Sequence, residues 1–194
     1  MTDFAVSRFA TALGDTATAG TLLKSSGNWH NLFDHGAIQP KTSAGAWVTD
    51  GTGFMEGNSE QYTWYVPHDL AGVVAQAGGA APVVKRLDTF FTHLNIGTVQ
   101  PYFYVGNEVT MAVPWVYAWA GAPSHTQRVL HASLANEFGT GAAGLPGNDD
   151  LGAISGWYVW AALGLYPVVP GVSGVALSSP QFEKITVRVG QKDG

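Results

Sequence analysis

Residues 4–32 read FAVSRFATALGDTATAGTLLKSSGNWHNL. Apolar residues recur three and four apart on both sides of Gly14-Asp15, which predicts two amphipathic helices, over residues 4–13 and 16–32. Gly14 suits the stop of the first, and the Asp15 carboxylate is placed to cap the second by accepting its unpaired N–H groups. The pattern repeats downstream. Residues 69–77 and 81–94 read as helices on either side of Gly78-Gly79, with Val84, Leu87, Phe91 and Leu94 of the second on one face. Beyond Glu108 a helix is predicted to Ala120, then one over 124–138 that starts just after Pro123, then an apolar one over 152–163. Turns inside each pair are short and loops between pairs are long, as in an α-toroid whose loops at one end form the site. About six helices amount to roughly half of a six-pair ring. At the end, residues 175–177 and 185–189 cluster or alternate β-branched residues, as strands do. The expected fold is therefore mainly α: a partial (α/α)6 toroid over residues 1–170, with a short β appendage beginning in residues 171–194.

Composition narrows the function. Nine Lys and Arg stand against fourteen Asp and Glu, net −5, which disfavours a phosphate-reading surface and hence nucleic acid as a partner. With no cysteine, there is no disulfide, thiolate nucleophile or thiolate metal site. No apolar run is long enough to span a bilayer, so a membrane is not an expected partner. Seven Trp, seven Tyr and nine Phe suit a deep core and also suit stacking on sugar rings.

Three polar clusters fall between the predicted helices, where a rigid scaffold carries its function. The first is Glu56-Gly57-Asn58-Ser59-Glu60-Gln61-Tyr62-Thr63-Trp64 with Val66-Pro67-His68-Asp69, at the end of a long Gly, Ser and Thr-rich loop over residues 34–57. Gly106-Asn107-Glu108 is the second. The third is Gly144-Leu145-Pro146-Gly147-Asn148-Asp149-Asp150-Leu151-Gly152, leading into Ser155-Gly156-Trp157-Tyr158. Each admits a structural reading: Asn148, Asp149 and Asp150 can cap the following helix, Glu108 and Asp69 can open theirs, and His68 can sit in a satisfied turn. Yet adjacent carboxylates exceed what one cap needs, and their mutual repulsion asks for a cation or a shared proton. Carboxylates on separate loops, beside Trp and Tyr, suit glycoside hydrolysis, which needs one protonated carboxyl and one ionised one. Asn, Asp and Glu oxygens favour calcium over zinc, and the six His show no zinc-binding spacing.

These residues resemble a known family. Asn28-Trp29-His30-Asn31-Leu32-Phe33-Asp34, the Glu56 to Trp64 cluster, Val66-Pro67-His68-Asp69, Gly106-Asn107-Glu108, Tyr117 with Ala120-Gly121 and Pro123, Gly144 to Asp150 with Ser155 and Trp157-Tyr158, and Gly164-Leu165-Tyr166-Pro167 occur in the order found in glycoside hydrolase family 92. The match runs from about residue 4 to residue 182. The resemblance implies an inverting exo-α-mannosidase that requires calcium and pairs a six-pair (α/α) barrel with an N-terminal β-sandwich. It implies Asp150 as general base with Asn148 or Asp149 assisting, and Glu56 as general acid, with Glu60 as the alternative acid or a substrate contact. Inverting enzymes hold such carboxyls about 6.5–9.5 Å apart, leaving room for water. Asn107 and Glu108 are similar to the family's calcium motif. Asn58, Gln61, Trp64, His68, Asp69, Asn148 and Trp157 take the places of substrate contacts.

Two departures qualify the resemblance. Many relatives follow the Asn-Glu pair with Pro, Ser and His, whereas Val109-Thr110-Met111-Ala112 stands here, so an α-1,2 preference is not implied. The β-sandwich and the first barrel helices are also absent from these residues, which predicts an exposed apolar edge and, as a partner, the N-terminal part of the same enzyme. The expected substrate is an α-mannoside glycan, and the expected location secreted or periplasmic. A non-catalytic mannose or calcium-binding remnant is the alternative, and a helical interaction module a third.

Overall fold

Helix α1 (Thr2–Ala12) stops at Gly14, whose φ of 80° is open to a residue without a Cβ. Asp15 Oδ1 then accepts the Thr18 N–H at 3.0 Å and starts α2 (Thr16–Ser26), as its place in the sequence predicted. The second helix tightens into a 3-10 segment over Gly27–Leu32 instead of continuing as α. Gly27 and Asn28 are poor helix formers, and the Ser26 hydroxyl turns back onto the Leu23 carbonyl at 2.7 Å. The computed structural model describes residues 1–188 and 190.

The loop expected from residue 34 opens instead with an antiparallel hairpin, β1 (Phe33–Asp34) and β2 (Ala37–Ile38). His35 and Gly36, at φ 47° and 87°, form its two-residue turn, which needs left-handed backbone at both positions. Asn58 caps a short α3 (Ser59–Thr63), its Oδ1 accepting the Gln61 N–H at 3.2 Å. Asp69 caps α4 (Leu70–Gln76) in the same way through Gly72, at 3.0 Å. After Gly78-Gly79, α5 (Ala80–Phe90) ends four residues before its predicted stop. It buries Val83, Leu87 and Phe90, while Val84, Phe91 and Leu94 pack around that core.

The predicted single helix up to Ala120 is broken into 3-10 turns at Glu108–Thr110 and Val113–Trp115 and a four-residue α6 (Val116–Trp119). Pro114 lacks an N–H and clashes with the preceding turn, so a continuous helix cannot pass through it. By contrast, α7 (Pro123–Asn136) and α8 (Ala153–Leu163) form close to their predicted bounds. Strand β3 (Leu165–Tyr166) pairs with β4 (Ala176–Leu177), where a strand was expected. Residues 185–188 carry no strand, and Val189 lies outside the described residues.

Helices α4 to α8 pack around one aromatic core in which Trp64, Phe90, Phe103, Trp115, Tyr117 and Trp157 are fully buried. The α1–α2 pair joins this body through Phe4, which packs on His68, and through His68 Nε2, 3.0 Å from the Ser26 carbonyl. The architecture is mainly α, a partial ring of paired helices with small β elements. Large apolar side chains stand exposed on the α1–α2 pair (Phe9, Leu13 and Leu23) and on α8 (Tyr158, Val159 and Trp160).

Candidate functional site

Three loops converge on one polar cavity of about 290 Å³. Glu56, Asn107, Asn148 and Asp150 face it, Thr98 and Tyr104 complete its wall, and Gly106 and Gly147 bring their backbones against it. Two carboxylates and two amides, 94 residues apart at the extremes, thus meet at one place.

The loops are held together by backbone contact. A Cβ on Gly147 would lie 2.4 Å from the Gly106 carbonyl oxygen, and one on Gly106 would lie 2.6 Å from the Pro146 oxygen. Only glycine permits that approach. Asn95 staples the same junction, donating to the Pro146 carbonyl at 3.0 Å and accepting from the Gly106 N–H at 3.3 Å. Asn58 Nδ2 donates to the Thr98 and Gln100 carbonyls, both at 2.9 Å. Gln61 Nε2 donates to Gly97 and Tyr102, at 2.9 and 3.0 Å. Both were expected to touch substrate. They lie one layer behind and carry the Thr98 loop to the cavity.

Each cavity carboxylate sits on strained backbone. Glu56 has φ 51° and Asp150 has φ 43°, in the left-handed region that costs a residue bearing a Cβ about 1–3 kcal/mol. The Glu56 carbonyl accepts a 2.6 Å bond from Asn107 Nδ2, and its neighbour Met55 accepts one of 2.6 Å from the Tyr62 hydroxyl. Asn107 therefore supports Glu56, and its Oδ1 is the amide atom left as an acceptor.

The remaining predicted site residues lie elsewhere. Glu60 is paired with Arg86, which donates to both carboxylate oxygens (Nε at 2.8 Å, Nη2 at 2.5 Å) and binds the Gly36 carbonyl through Nη1. The guanidinium also lies 4.9 Å over the Trp64 ring, and Trp64 Nε1 donates to Glu60 at 3.3 Å. This network ties the hairpin, α3 and α5 together. Trp64 and Trp157 are core residues, the latter stacked on Phe138 and donating to the Met111 carbonyl at 2.9 Å. His68 and Asp69 border a separate small cavity with Phe4 and Trp29. Asp149 accepts from Ser155 rather than facing the cavity, and Glu108 is exposed at the start of its 3-10 turn. Glu108 acts on Tyr65, whose phenol is raised above its ordinary range first by burial and then by that charge.

Tyr104 is the aromatic side chain lining the cavity, and it is not among the site residues expected from the sequence. Its only signal was its place two residues before Gly106-Asn107. A second cavity of about 360 Å³, lined by Phe138, Leu145, Tyr158 and Ser155, is apolar and holds no carboxylate.

The family described as glycosyl hydrolase family 92 catalytic domain matches residues 1–194. An uncharacterised secreted glycosidase of Arthroderma benhamiae is 28% identical, over 84% of this chain and 24% of its own length. A family 92 α-mannosidase of Bacteroides thetaiotaomicron, solved with mannoimidazole, is similar in structure (TM-score 0.80, 28% identity), covering 92% of this chain and 27% of that one. An inverting family 92 mannosidase of the same organism gives a TM-score of 0.80 at 31% identity, over 93% of this chain and 28% of that one. The chain thus spans about a quarter of the length of these relatives.

Proposed function

Because the chain belongs to the glycosyl hydrolase family 92 catalytic domain, we propose that it carries the acid and base of an exo-acting α-mannosidase that inverts the anomeric centre with the help of calcium. The observation that carries this reading is the meeting of Glu56 and Asp150, from loops far apart in sequence, at one polar cavity with Asn107 and Asn148.

In this reading Glu56, protonated, gives its proton to the glycosidic oxygen as the bond to the anomeric carbon breaks. Asp150, ionised, takes a proton from the water that attacks the opposite face of that carbon, and the single displacement inverts it. In the same reading Thr98 and Asn148 bond sugar hydroxyls and Tyr104 packs against the sugar, all three being cavity-lining residues. Likeness to solved mannosidases supports an α-mannoside glycan as substrate, and likeness to a secreted glycosidase supports a secreted or periplasmic location. Among the described residues no helix is long and apolar enough to cross a membrane.

The cavity side chains fit calcium in donor type, being hard oxygen ligands without thiolate or imidazole. Among the described residues no group of three or more His, Cys, Asp and Glu is gathered, so amide oxygens would be among the ligands this chain offers. Asn107, through Oδ1, and Asn148 are the side chains of this chain that would hold the ion; Glu108, expected beside Asn107, does not line the cavity. Bound there, calcium supplies positive charge to sugar hydroxyls as the oxocarbenium-like transition state develops. Sugar hydroxyls, water and the rest of the protein would supply the other ligands.

The test is hydrolysis of an aryl α-mannoside and of α-mannobioses by the full-length gene product, with calcium and with a chelator. Turnover with release of β-mannose, lost on chelation, supports the reading. Binding of mannose without turnover would instead mark a non-catalytic remnant.

A further inference from the structure

Asp149 and Asp150 are adjacent, and their surroundings assign them different work. Asp150 faces the cavity, whereas both oxygens of Asp149 are taken by one residue: Oδ1 accepts the Ser155 N–H at 2.7 Å and Oδ2 accepts the Ser155 hydroxyl at 3.0 Å. The Asp149 carbonyl also accepts N–H bonds from Gly152 at 3.0 Å and Ala153 at 2.7 Å. Asp149 thus satisfies N–H groups in the first turn of α8 from outside the helix, a task for which Gly152, at the N-cap position, has no side chain.

Between these pins, Asp150, Leu151 and Gly152 run at φ 43°, 62° and 90°, three left-handed residues in succession. Leu151 is fully exposed, so burial does not compensate its strained backbone. What keeps the turn in this shape is its two ends.

We infer that Ser155 is a positioning residue for the proposed general base: by fixing Asp149 it holds the left-handed turn that presents the Asp150 carboxylate to the cavity. The inference rests on the reading of Asp150 as base. The Ser155 hydroxyl is the removable part of the clamp, because the backbone N–H bond to Asp149 survives any side-chain change. Its other acceptor within reach, the Gly152 carbonyl, is 3.4 Å away. Ser155 also borders the apolar cavity beside Phe138 and Tyr158, which leaves space for one more methyl group.

Ser155→Ala and Ser155→Thr in the full-length gene product test this, with kinetics on an aryl α-mannoside. Ser155→Ala is expected to lower kcat about tenfold with KM within about twofold, the size of effect a misplaced catalytic group produces. Ser155→Thr, which keeps the hydroxyl, should restore kcat. Ser155→Cys, with similar volume and a weak donor, gives the same readings if the alanine variant does not fold. Wild-type kcat in Ser155→Ala, or in Ser155→Cys in its place, would overturn the inference. Asp150→Ala separates the two ideas: if it stays active the base assignment fails, and if it is inactive while Ser155→Ala is unchanged only the positioning role fails.

Discussion

Glu56 and Glu60 lie four residues apart in one motif, and the fold gives them opposite surroundings. Glu56 occupies left-handed backbone at the cavity edge, conformational cost that a glycine would not bear. Glu56→Gly is therefore expected to leave thermal stability unchanged or raise it by up to about 1 kcal/mol while removing turnover of poor leaving groups, read from paired melting curves and assays. Glu60 is less than one-fifth exposed and bonded on both oxygens to Arg86. Glu60→Gln strands much of that guanidinium charge and is expected to cost about 2–3 kcal/mol, at the low end for a buried pair because both partners keep some water contact. Activity per folded molecule should stay near wild type, and a selective loss on poor leaving groups would instead make Glu60 the acid. Sequence spacing could not separate the two glutamates. The deciding partner, Arg86, is 26 residues away and reaches Glu60 from α5 only in the folded chain.

Among the elements, caps and pairing were readable because they are local. Asp15 and Asp69 cap as their positions imply, and glycine pairs or Gly-Asp mark the turns. The hairpin at Phe33–Ile38 went unseen because two-residue strands carry no alternation to detect; His35-Gly36 was its one signal. The single helix expected before Ala120 is broken because Pro114 interrupts its backbone bonding. Glycine positions likewise divide by what surrounds them, which sequence does not show. A Cβ at Gly147 meets the Gly106 carbonyl at 2.4 Å and its Cα at 2.9 Å, both backbone atoms that cannot rotate away. Gly147→Ala must push apart the two loops that carry Asn107 and Asp150, so kcat/KM should fall by at least about tenfold together with the melting temperature. Gly156 lies inside α8 with nothing within 4 Å of its Cβ position. Gly156→Ala should stabilise by about 0.5–1 kcal/mol through helix propensity. If the two variants behave alike, the close approach of the loops is not what holds the site.

At the scale of the whole molecule, the partial ring was legible as a sum of helical patterns, while the choice of which polar residues face its cavity was not. Asn58, Gln61 and the two tryptophans read like substrate contacts because motif order records that residues matter, whether they touch sugar or hold the loop that does. His68 belongs to the same class, and its role is to join the α1–α2 pair to the rest of the fold. Its Nε2–H donates to the Ser26 carbonyl at 3.0 Å, while its Nδ1 is buried without a partner among the described residues. Burial holds its pKa below the ordinary value and outweighs the Ser26 carbonyl and the neighbouring Asp69, which favour the charged form. Protonation would place an N–H at Nδ1 where none of the described residues accepts it. The unfolded chain therefore takes up the proton more readily than the folded one. This stability is present above the unfolded value, about 6.5, and is lost as pH falls below it toward the depressed folded value. His35, raised by Asp34, acts in the opposite sense but is exposed at the surface and contributes little. Thermal unfolding between pH 7 and 5.5 should show a falling midpoint, with the amides of α1 and α2 losing hydrogen-exchange protection first. His68→Gln keeps a donor for Ser26 without a titrating group, so it should flatten that dependence. An equally steep fall in His68→Gln would assign the acid sensitivity to other groups and leave the junction without a pH response.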